Sequence, residues 1–181
     1  MEDILLRSLA GSAGMDVQAW VGELFDRHQA RLYRLALRMS RDSEEAKDLV
    51  QETFLRAAQR TGSIPDEEPG CEAWLVRVLV NLCRDRHRRL RRHPDGRAHE
   101  MREPAHDPEP ALVATALVQA ALGALSARRR AVVILHELEE RPVHDVARML
   151  SISAVTVRWH LARARRELRE RLADVPGGGL A

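Results

Sequence analysis

The sequence contains few of the side chains from which disulfide frameworks and metal sites are built. Its only two cysteines, Cys71 and Cys83, lack a Cys-x-x-Cys spacing, and no histidines are paired at metal-ligand spacing. This composition argues against a disulfide framework or a zinc site, and we expect no cofactor. No apolar run approaches the roughly 18 residues of a membrane span, and the N-terminus lacks a signal-peptide pattern. We therefore expect a soluble cytoplasmic protein with no membrane insertion.

Aromatic side chains and lysine are also scarce. Aromatic residues make up 3% of the chain, so its cores must consist mostly of Leu, Val and Ala, which favours helix. Lys47 is the only lysine, and the formal net charge of +2 does not by itself indicate a nucleic-acid partner. The arginines, however, are concentrated: residues 84–92 carry six against one Asp, and residues 158–171 carry six against two Glu. Two separate basic stretches predict two nucleic-acid contacts.

The spacing of apolar residues predicts an all-α chain. From Asp16 onward, apolar residues recur at three- and four-residue steps, with no alternating strand pattern. Ser43 is the expected N-cap of a second helix that ends near Arg60. A loop over residues 62–70, which contains two prolines, should precede a third helix over residues 71–92.

A proline-rich segment divides the sequence near its middle. Residues 93–110 contain four prolines and mixed charge, which predicts a flexible linker between two small helical domains. The expected later helices cover residues 111–125 and 128–139 with Ser126 as a cap, a segment from Pro142 to Leu150, and a segment from the turn at 151–153 to about Leu172. The resulting division is a loose tail (1–15, with Met15 an alternative start to Met1), a domain (16–92), the linker (93–110), a domain (111–172) and a C-terminal tail (173–181).

The second domain has the pattern of a helix-turn-helix. Val146 and Leu150 form the apolar face of its first helix, Ala147 permits a close crossing, and Ile152 fills the turn. Ser151 stands where glycine is commonly preferred, because a positive φ is least costly for glycine. The second helix carries an apolar stripe made of Val157, Leu161, Ala164, Leu168 and Leu172. Its other face, with Thr156, Arg158, Trp159, Ala162, Arg163 and Arg166, could enter a major groove and read base edges.

Four segments resemble those of one protein family. Residues 48–56 (Asp-Leu-Val-Gln-Glu-Thr-Phe-Leu-Arg) resemble the core-binding helix of sigma region 2, and residues 73–82 (Ala-Trp-Leu-Val-Arg-Val-Leu-Val-Asn-Leu) resemble its promoter-melting helix. Residues 122–135 resemble the opening of sigma region 4, and residues 145–165 resemble its helix-turn-helix. In this order, over roughly residues 22–172, they resemble a bacterial sigma factor of the extracytoplasmic-function group of the sigma-70 family.

The resemblance implies contact residues, partners and a role. The residues that would bind core RNA polymerase are Asp48, Gln51, Glu52 and Leu55. Those that would bind the −10 element are Trp74, Asn81, Arg84, Arg86, Arg88 and Arg89, with Asn81 lining the pocket for a flipped base. Those that would face the −35 element are Thr156, Arg158, Trp159, Ala162 and Arg163. The implied partners are core RNA polymerase, promoter DNA and a regulator, commonly an anti-sigma factor, and the chain would not itself be an enzyme.

Two alternatives and several departures from the family pattern accompany this interpretation. A helix-turn-helix regulator could bind DNA alone as a dimer, and an enzyme could use the acidic loop with the histidines His87, His93, His99 and His106, although no nucleophile–base pair, phosphate loop or metal cage is present. Taken alone, Trp74 is a core residue and Asn81 a satisfied polar residue. The departures are Ser126 in place of proline, Asp145 in place of Glu, Asp66-Glu67-Glu68 in place of a loop aromatic, and the Trp159 and Ala162 pair. They leave the promoter sequence open.

Overall fold

In the computed structural model, residues 17–92 and 110–173 are described. Within them the chain is helical and contains no strand, which confirms the all-α prediction. The helices are α1 (Val17–Ser40), α2 (Ser43–Gln59), α3 (Glu68–Arg92), α4 (Pro110–Ala124), α5 (Ala127–Val133), α6 (Val143–Leu150) and α7 (Ala154–Ala173), with a 3-10 turn (Thr61–Ser63) and a π-helical turn (Ile134–Leu138). Residues 1–16, which include the predicted tail 1–15, residues 93–109 of the linker and residues 174–181 lie outside the described residues.

Helices α1, α2 and α3 pack together around aliphatic side chains. Leu35, Leu75 and Leu79 are completely buried, as expected for a core with few aromatic residues. One of those few, Phe54, is buried and meets the ring of Phe25 at 4.9 Å between centroids. The buried residues of α3 lie between Cys71 and Cys83, so the bundle fixes the orientation of this part of the predicted −10 helix.

Two helix starts differ from the sequence prediction. Asp42, not Ser43, caps α2: its carboxylate oxygen accepts a hydrogen bond of 2.8 Å from the Glu45 N–H. Asp and Ser are equally good caps, and the left-handed Arg41 (φ 67°) places Asp42 at the capping position. Helix α3 begins at Glu68 instead of Cys71, because Pro69 falls in the first turn, where its missing N–H costs nothing. The predicted loop over residues 62–70 is correspondingly shorter.

Helices α4 to α7 form the second bundle, which is organised around the buried Arg130. Its guanidinium donates to the carbonyl oxygens of Leu122 (2.9 Å), Gly123 (2.6 Å) and Leu125 (3.3 Å), at the C-terminal end of α4. Burial lowers the pKa of Arg130. Ser126 occupies the N-cap position of α5 but makes no side-chain capping bond. The hydrogen bonds from the buried Arg130 side chain therefore stabilise the α4–α5 junction, and the Ser126 side chain contributes no capping bond.

The two bundles pack against each other in this structure. One continuous apolar core contains Leu75 and Leu79 from α3 together with Val146 and Met149 from α6. Arg130 also donates a hydrogen bond to the carbonyl of Met39, at the end of α1. None of the helices in the described ranges is both long enough and apolar enough to cross a membrane.

Candidate nucleic-acid interface

The structure forms the predicted helix-turn-helix from α6, a three-residue turn and α7. Ser151 has a φ of 49°, so the position where glycine was expected does adopt a left-handed conformation. Ser153 begins α7 by accepting a hydrogen bond of 3.1 Å from the Thr156 N–H, and its hydroxyl lies 2.8 Å from the Thr156 hydroxyl. Val157 and Leu161 are buried beneath the turn. These contacts fix the direction in which the first turns of α7 project.

The five residues predicted to face the −35 element lie together on the outer face of α7. Thr156 is half-exposed, and the other four, Arg158, Trp159, Ala162 and Arg163, are exposed. Leu172, predicted to belong to the buried stripe, is instead 39% exposed at the far end of the helix. The placement fits a DNA-facing surface, and the role of each residue stays a prediction.

Trp159 dominates that surface. Its side chain is 54% exposed. The rings of Trp159 and His160 meet edge-on with their centroids 4.9 Å apart, and the Arg163 guanidinium lies 5.9 Å from the Trp159 ring centroid. Arg163 also pairs with Glu167 at 3.3 Å. Burial, together with the nearby charges of Arg128 and Arg129, lowers the pKa of His160 and so favours the neutral imidazole. The tryptophan is thus held in a defined orientation although it has little cover.

The predicted −10 residues lie on α3 but do not share one face. At about 100° per residue, Trp74, Asn81, Arg84 and Arg88 fall within one sector of the helix. Trp74 and Asn81 are half-buried, whereas Arg84 and Arg88 are exposed and pair loosely with Asp85 at 3.6 and 3.8 Å. Trp74 packs against the core, as expected when the residue is considered without the family resemblance.

Two of the predicted −10 residues, Arg86 and Arg89, lie outside this sector, and both line the groove between α2 and the end of α3. The guanidinium of Arg86 is 3.2 Å from Glu45 and 3.9 Å from Asp48 of α2. Arg86 therefore belongs geometrically to the predicted polymerase-binding surface. Arg77 lies in the same sector as Trp74 and Asn81, and the sequence prediction omitted it.

The residues predicted to bind core polymerase lie along one side of α2. Asp48, Gln51 and Leu55 are exposed, with Leu55 57% exposed, and Glu52 pairs with Arg56 at 3.1 Å. A polar groove of about 310 Å³ separates this side of α2 from the basic end of α3. The surface combines carboxylates with one exposed leucine, which suits a partner helix carrying both cations and apolar side chains.

A second groove was missed by sequence reasoning. It lies between α4, the π-helical turn and α7, encloses about 290 Å³, and exposes mostly apolar atoms. Its lining includes Val118, Leu122, Val133, Leu138, Leu168 and Leu172. Arg165 and Glu137 pair at 2.7 Å on its rim. The sequence of α4 could have indicated this groove. The helix is apolar on all sides, so packing against one neighbouring helix leaves part of its apolar surface exposed.

Chemical sites of other kinds have little support in the described ranges. No group of three or more His, Cys, Asp or Glu side chains in residues 17–92 and 110–173 could hold a metal ion. Burial raises the pKa of the Cys83 thiol to about 12, so the thiol is protonated and poorly nucleophilic. Of the four histidines weighed for an enzyme, His93, His99 and His106 lie outside the described residues.

Sequence comparisons agree with these two modules. The Sigma-70 region 2 family model matches residues 24–93, and the Sigma-70, region 4 model matches residues 115–168. The ECF RNA polymerase sigma factor SigM of Mycobacterium tuberculosis is 38% identical over 157 residues, covering 86% of this chain and 79% of that protein. SigL of the same species is 34% identical over 171 residues, covering 92% of this chain and 96% of that protein.

Solved structures show the same fold. CnrH in complex with the cytosolic domain of CnrY matches with a TM-score of 0.64 and 27% identity, over 94% of this chain and 97% of that one. RpoE in complex with the anti-sigma factor NepR from Bartonella quintana matches with a TM-score of 0.61 at 24% identity, over 86% of this chain and 98% of that one. With both regions matched and full-length relatives at this identity, the chain belongs to the extracytoplasmic-function group of the sigma-70 family, the promoter-recognising sigma factors of RNA polymerase.

Proposed function

We propose that three surfaces of this sigma factor divide the work of initiation. The region 2 domain, residues 16–92, binds core polymerase and the −10 element, and the region 4 domain, residues 111–172, binds the −35 element. The protein acts in the cytoplasm and has no catalytic activity of its own, because RNA synthesis belongs to the polymerase. The observation that carries the proposal is the exposed cluster on α7, where Arg158, Trp159 and Arg163 project beside a fixed helix-turn-helix turn.

The outer face of α7 reads the −35 element. A helix can enter the major groove by its first turns, where a few side chains reach base edges and neighbouring arginines hold phosphates. Arg158 and Trp159 stand on the first two turns and are best placed for base contact. Arg163 stands one turn farther along, where a phosphate contact fits better. A half-exposed Thr156, already bonded to Ser153, contributes mainly to orientation.

The exposed sector of α3 reads and helps to open the −10 element. Asn81 offers both a donor and acceptors to the edge of an extruded base. Trp74, about two helical turns closer to the N-terminus on the same face, limits the space that such a base can occupy. Extruding a base costs a few kcal/mol, so a pocket that accepts it lowers the free energy of melting. Arg84, Arg88 and Arg89 then contact the phosphates on either side.

The side of α2 with Asp48, Gln51, Glu52 and Leu55 binds core polymerase. Because Arg86 pairs with Asp48 and Glu45 in this structure, we assign Arg86 to this contact as well as to DNA. A partner that binds Asp48 weakens the ion pair between Asp48 and Arg86. The Arg86 guanidinium is then more available to nearby DNA phosphates. Polymerase binding and DNA binding would thereby favour each other.

The apolar groove of the region 4 domain binds an apolar helix of an anti-sigma factor. An amphipathic helix laid in an apolar groove is a common way to bind a protein. The occupant is argued from CnrH, a relative in fold and sequence that was solved with a domain of CnrY. The Leu138→Glu variant should lose binding to the regulator. Loss of binding to core polymerase instead would assign the groove to the polymerase.

Run-off transcription tests the main proposal. Purified core polymerase, the chain and its own upstream DNA should give discrete transcripts that require the chain. Asn81→Ala and Arg158→Ala should each remove most of the product, whereas Arg60→Ala, an exposed arginine outside all three surfaces, should not. Binding to duplex DNA without any binding to core polymerase would instead indicate a free-standing regulator.

A further inference from the structure

The outer face of α7 has an uncharged, mainly apolar strip along its first turns. Val155 is 71% exposed, and Trp159, one turn farther along, is 54% exposed. At about 100° per residue, Val155, Trp159 and the exposed Ala162 fall within a sector of about 60°. This sector lies on the opposite side of the helix from the buried Val157 and Leu161. We call Val155, Trp159 and Ala162 the apolar centre.

Arginines flank the apolar centre on both sides. Arg158 lies about 60° to one side of Val155, and Arg163 lies about 80° to the other side. Both arginines are exposed, and the Arg163 guanidinium is held beside the Trp159 ring. On the line of the apolar centre itself, the first cation is Arg166, about three turns beyond Val155. The first turns of α7 therefore present an uncharged middle between two cationic edges.

The stability of the fold does not account for Val155. A side chain that is 71% exposed gains little from apolar burial, and a β-branched residue is a weaker helix former than most alternatives. The start of α7 is fixed by a polar contact instead, because Ser153 accepts a hydrogen bond from the Thr156 N–H. Exposed apolar side chains that lie together within a polar rim are typical of a binding site.

The major groove of DNA offers one apolar group to such a surface, the C5-methyl of thymine. An α-helix is about as wide as this groove, so its centre faces the base edges and its flanks face the phosphates. Val155 and Trp159 are about 6 Å apart along the helix axis, close to two base steps of about 3.4 Å each. The apolar centre therefore matches the methyl groups of one or two neighbouring thymines.

We propose that Val155 is a specificity residue for the −35 element, and that Val155 and Trp159 recognise thymine C5-methyl groups in that element. The inference rests on the proposed function for the placement of α7 in the major groove. It goes further by adding a contact residue and by naming the chemical group that this face reads. The flanking Arg158 and Arg163 favour DNA over a protein as the occupant, because phosphates line both sides of the groove.

Deoxyuridine tests this proposal, because it lacks only the C5-methyl of thymine and keeps its base pairing. The probes are two duplexes of the chain's own promoter, as identified by run-off transcription. They differ only in deoxyuridine in place of thymine within the segment that core polymerase and the chain protect around −35. The wild type with core polymerase should bind the deoxyuridine duplex about fourfold more weakly for each methyl group that it reads, the factor expected for one buried CH₂-sized group.

Two variants show whether Val155 reads the methyl group. Val155→Ser should lower the ratio of the two affinities about fourfold. Val17→Ser is the matched control, since Val17 is also an exposed valine in the first turn of a helix, and it should keep the wild-type ratio. Each result is a ratio for one protein preparation, so differences in the folded fraction cancel.

Three outcomes would overturn the proposal. A wild-type ratio of one, or a −35 segment without any A·T pair, would exclude thymine as the group that is read, and the apolar centre would then be assigned to a protein partner. A ratio that Val155→Ser leaves unchanged would remove Val155, because an effect of deoxyuridine on the stiffness of the duplex persists in the variant. Failure of the proposed function is distinct: the chain would neither bind core polymerase nor give a transcript from either duplex, and this inference would fall with it.

Discussion

Replacing Arg130 with methionine should destabilise the protein strongly, although Arg130 lies outside every proposed binding surface. Its guanidinium is buried and donates to four carbonyl groups, three around the end of α4 and one at the end of α1. At about 1.5 kcal/mol for each charge-assisted bond, the contacts contribute about 6 kcal/mol in gross terms. Returning the guanidinium to water recovers several kcal/mol. We therefore expect a net loss of about 3 kcal/mol.

Urea unfolding followed by circular dichroism measures this loss. With a slope of about 2 kcal/mol per molar urea, 3 kcal/mol lowers the midpoint by about 1.5 M. Arg130→Lys should recover less than half of that, because one ammonium group does not reproduce a planar guanidinium that serves four acceptors. Arg129→Met is the matched control: Arg129 is the neighbouring residue on α5, and its side chain is 22% exposed and paired with Glu167. Its midpoint should fall by less than half as much.

The comparison between the two variants decides the argument. If Arg130→Met shifts the midpoint no more than Arg129→Met does, the carbonyl contacts contribute nothing beyond a partly buried ion pair. The α4–α5 junction would then depend on apolar packing alone. A large shift for Arg130→Met with an unchanged slope would confirm that one buried cation joins the end of α4 to the end of α1.

Three further outcomes are expected. Asp42→Ala should lower the free energy of unfolding by about 1 kcal/mol, whereas Ser43→Ala should change it by less than half of that, because only Asp42 caps α2; equal losses in urea unfolding would contradict the capping assignment. The Cys83 thiol, with its pKa raised to about 12, should react with a thiol reagent at pH 8 at least about 10³-fold more slowly in the folded protein than in urea, and a fast native reaction would show that α3 opens locally. Arg163→Ala should reduce the salt slope of promoter binding by about 0.9, and an unchanged slope would remove Arg163 from the phosphate contacts.

Most of the fold could be predicted from the spacing of apolar residues, because most of the helices carry a buried stripe of their own. Val146, Val157 and Leu161 are buried as the helix-turn-helix pattern required, and Ser151 adopts the expected left-handed conformation. The start of α2 was predicted one residue late, because adjacent Asp42 and Ser43 are equally good caps and only the path of the preceding chain selects between them. Local preferences thus identify a helix more securely than its first residue.

The contact between the bundles was not visible in the sequence for a physical reason. Its polar members pair over long separations in the chain, as Arg31 does with Glu139, and neither residue differs in pattern from an ordinary solvated charge. Gly123 gives a similar case. A Cβ at this position would lie 2.1 Å from the guanidinium of Arg41, so the absence of a side chain makes room for a residue of the other bundle. The spacing of apolar residues in the sequence does not indicate that Arg41 lies next to Gly123.

The candidate −10 surface shows where resemblance and geometry differ. Resemblance selected arginines by their order along α3, and so included Arg86 and omitted Arg77. At about 100° per residue, Arg86 lies about 200° from Arg84 whereas Arg77 lies about 20° from it, and this arithmetic needs only the sequence. What the arithmetic could not supply is the partner of Arg77, a helix end 71 residues away in the chain. In this structure Arg77 of the candidate −10 sector donates to carbonyl oxygens of the second bundle, so residues 84–92 alone do not determine the charge of that sector.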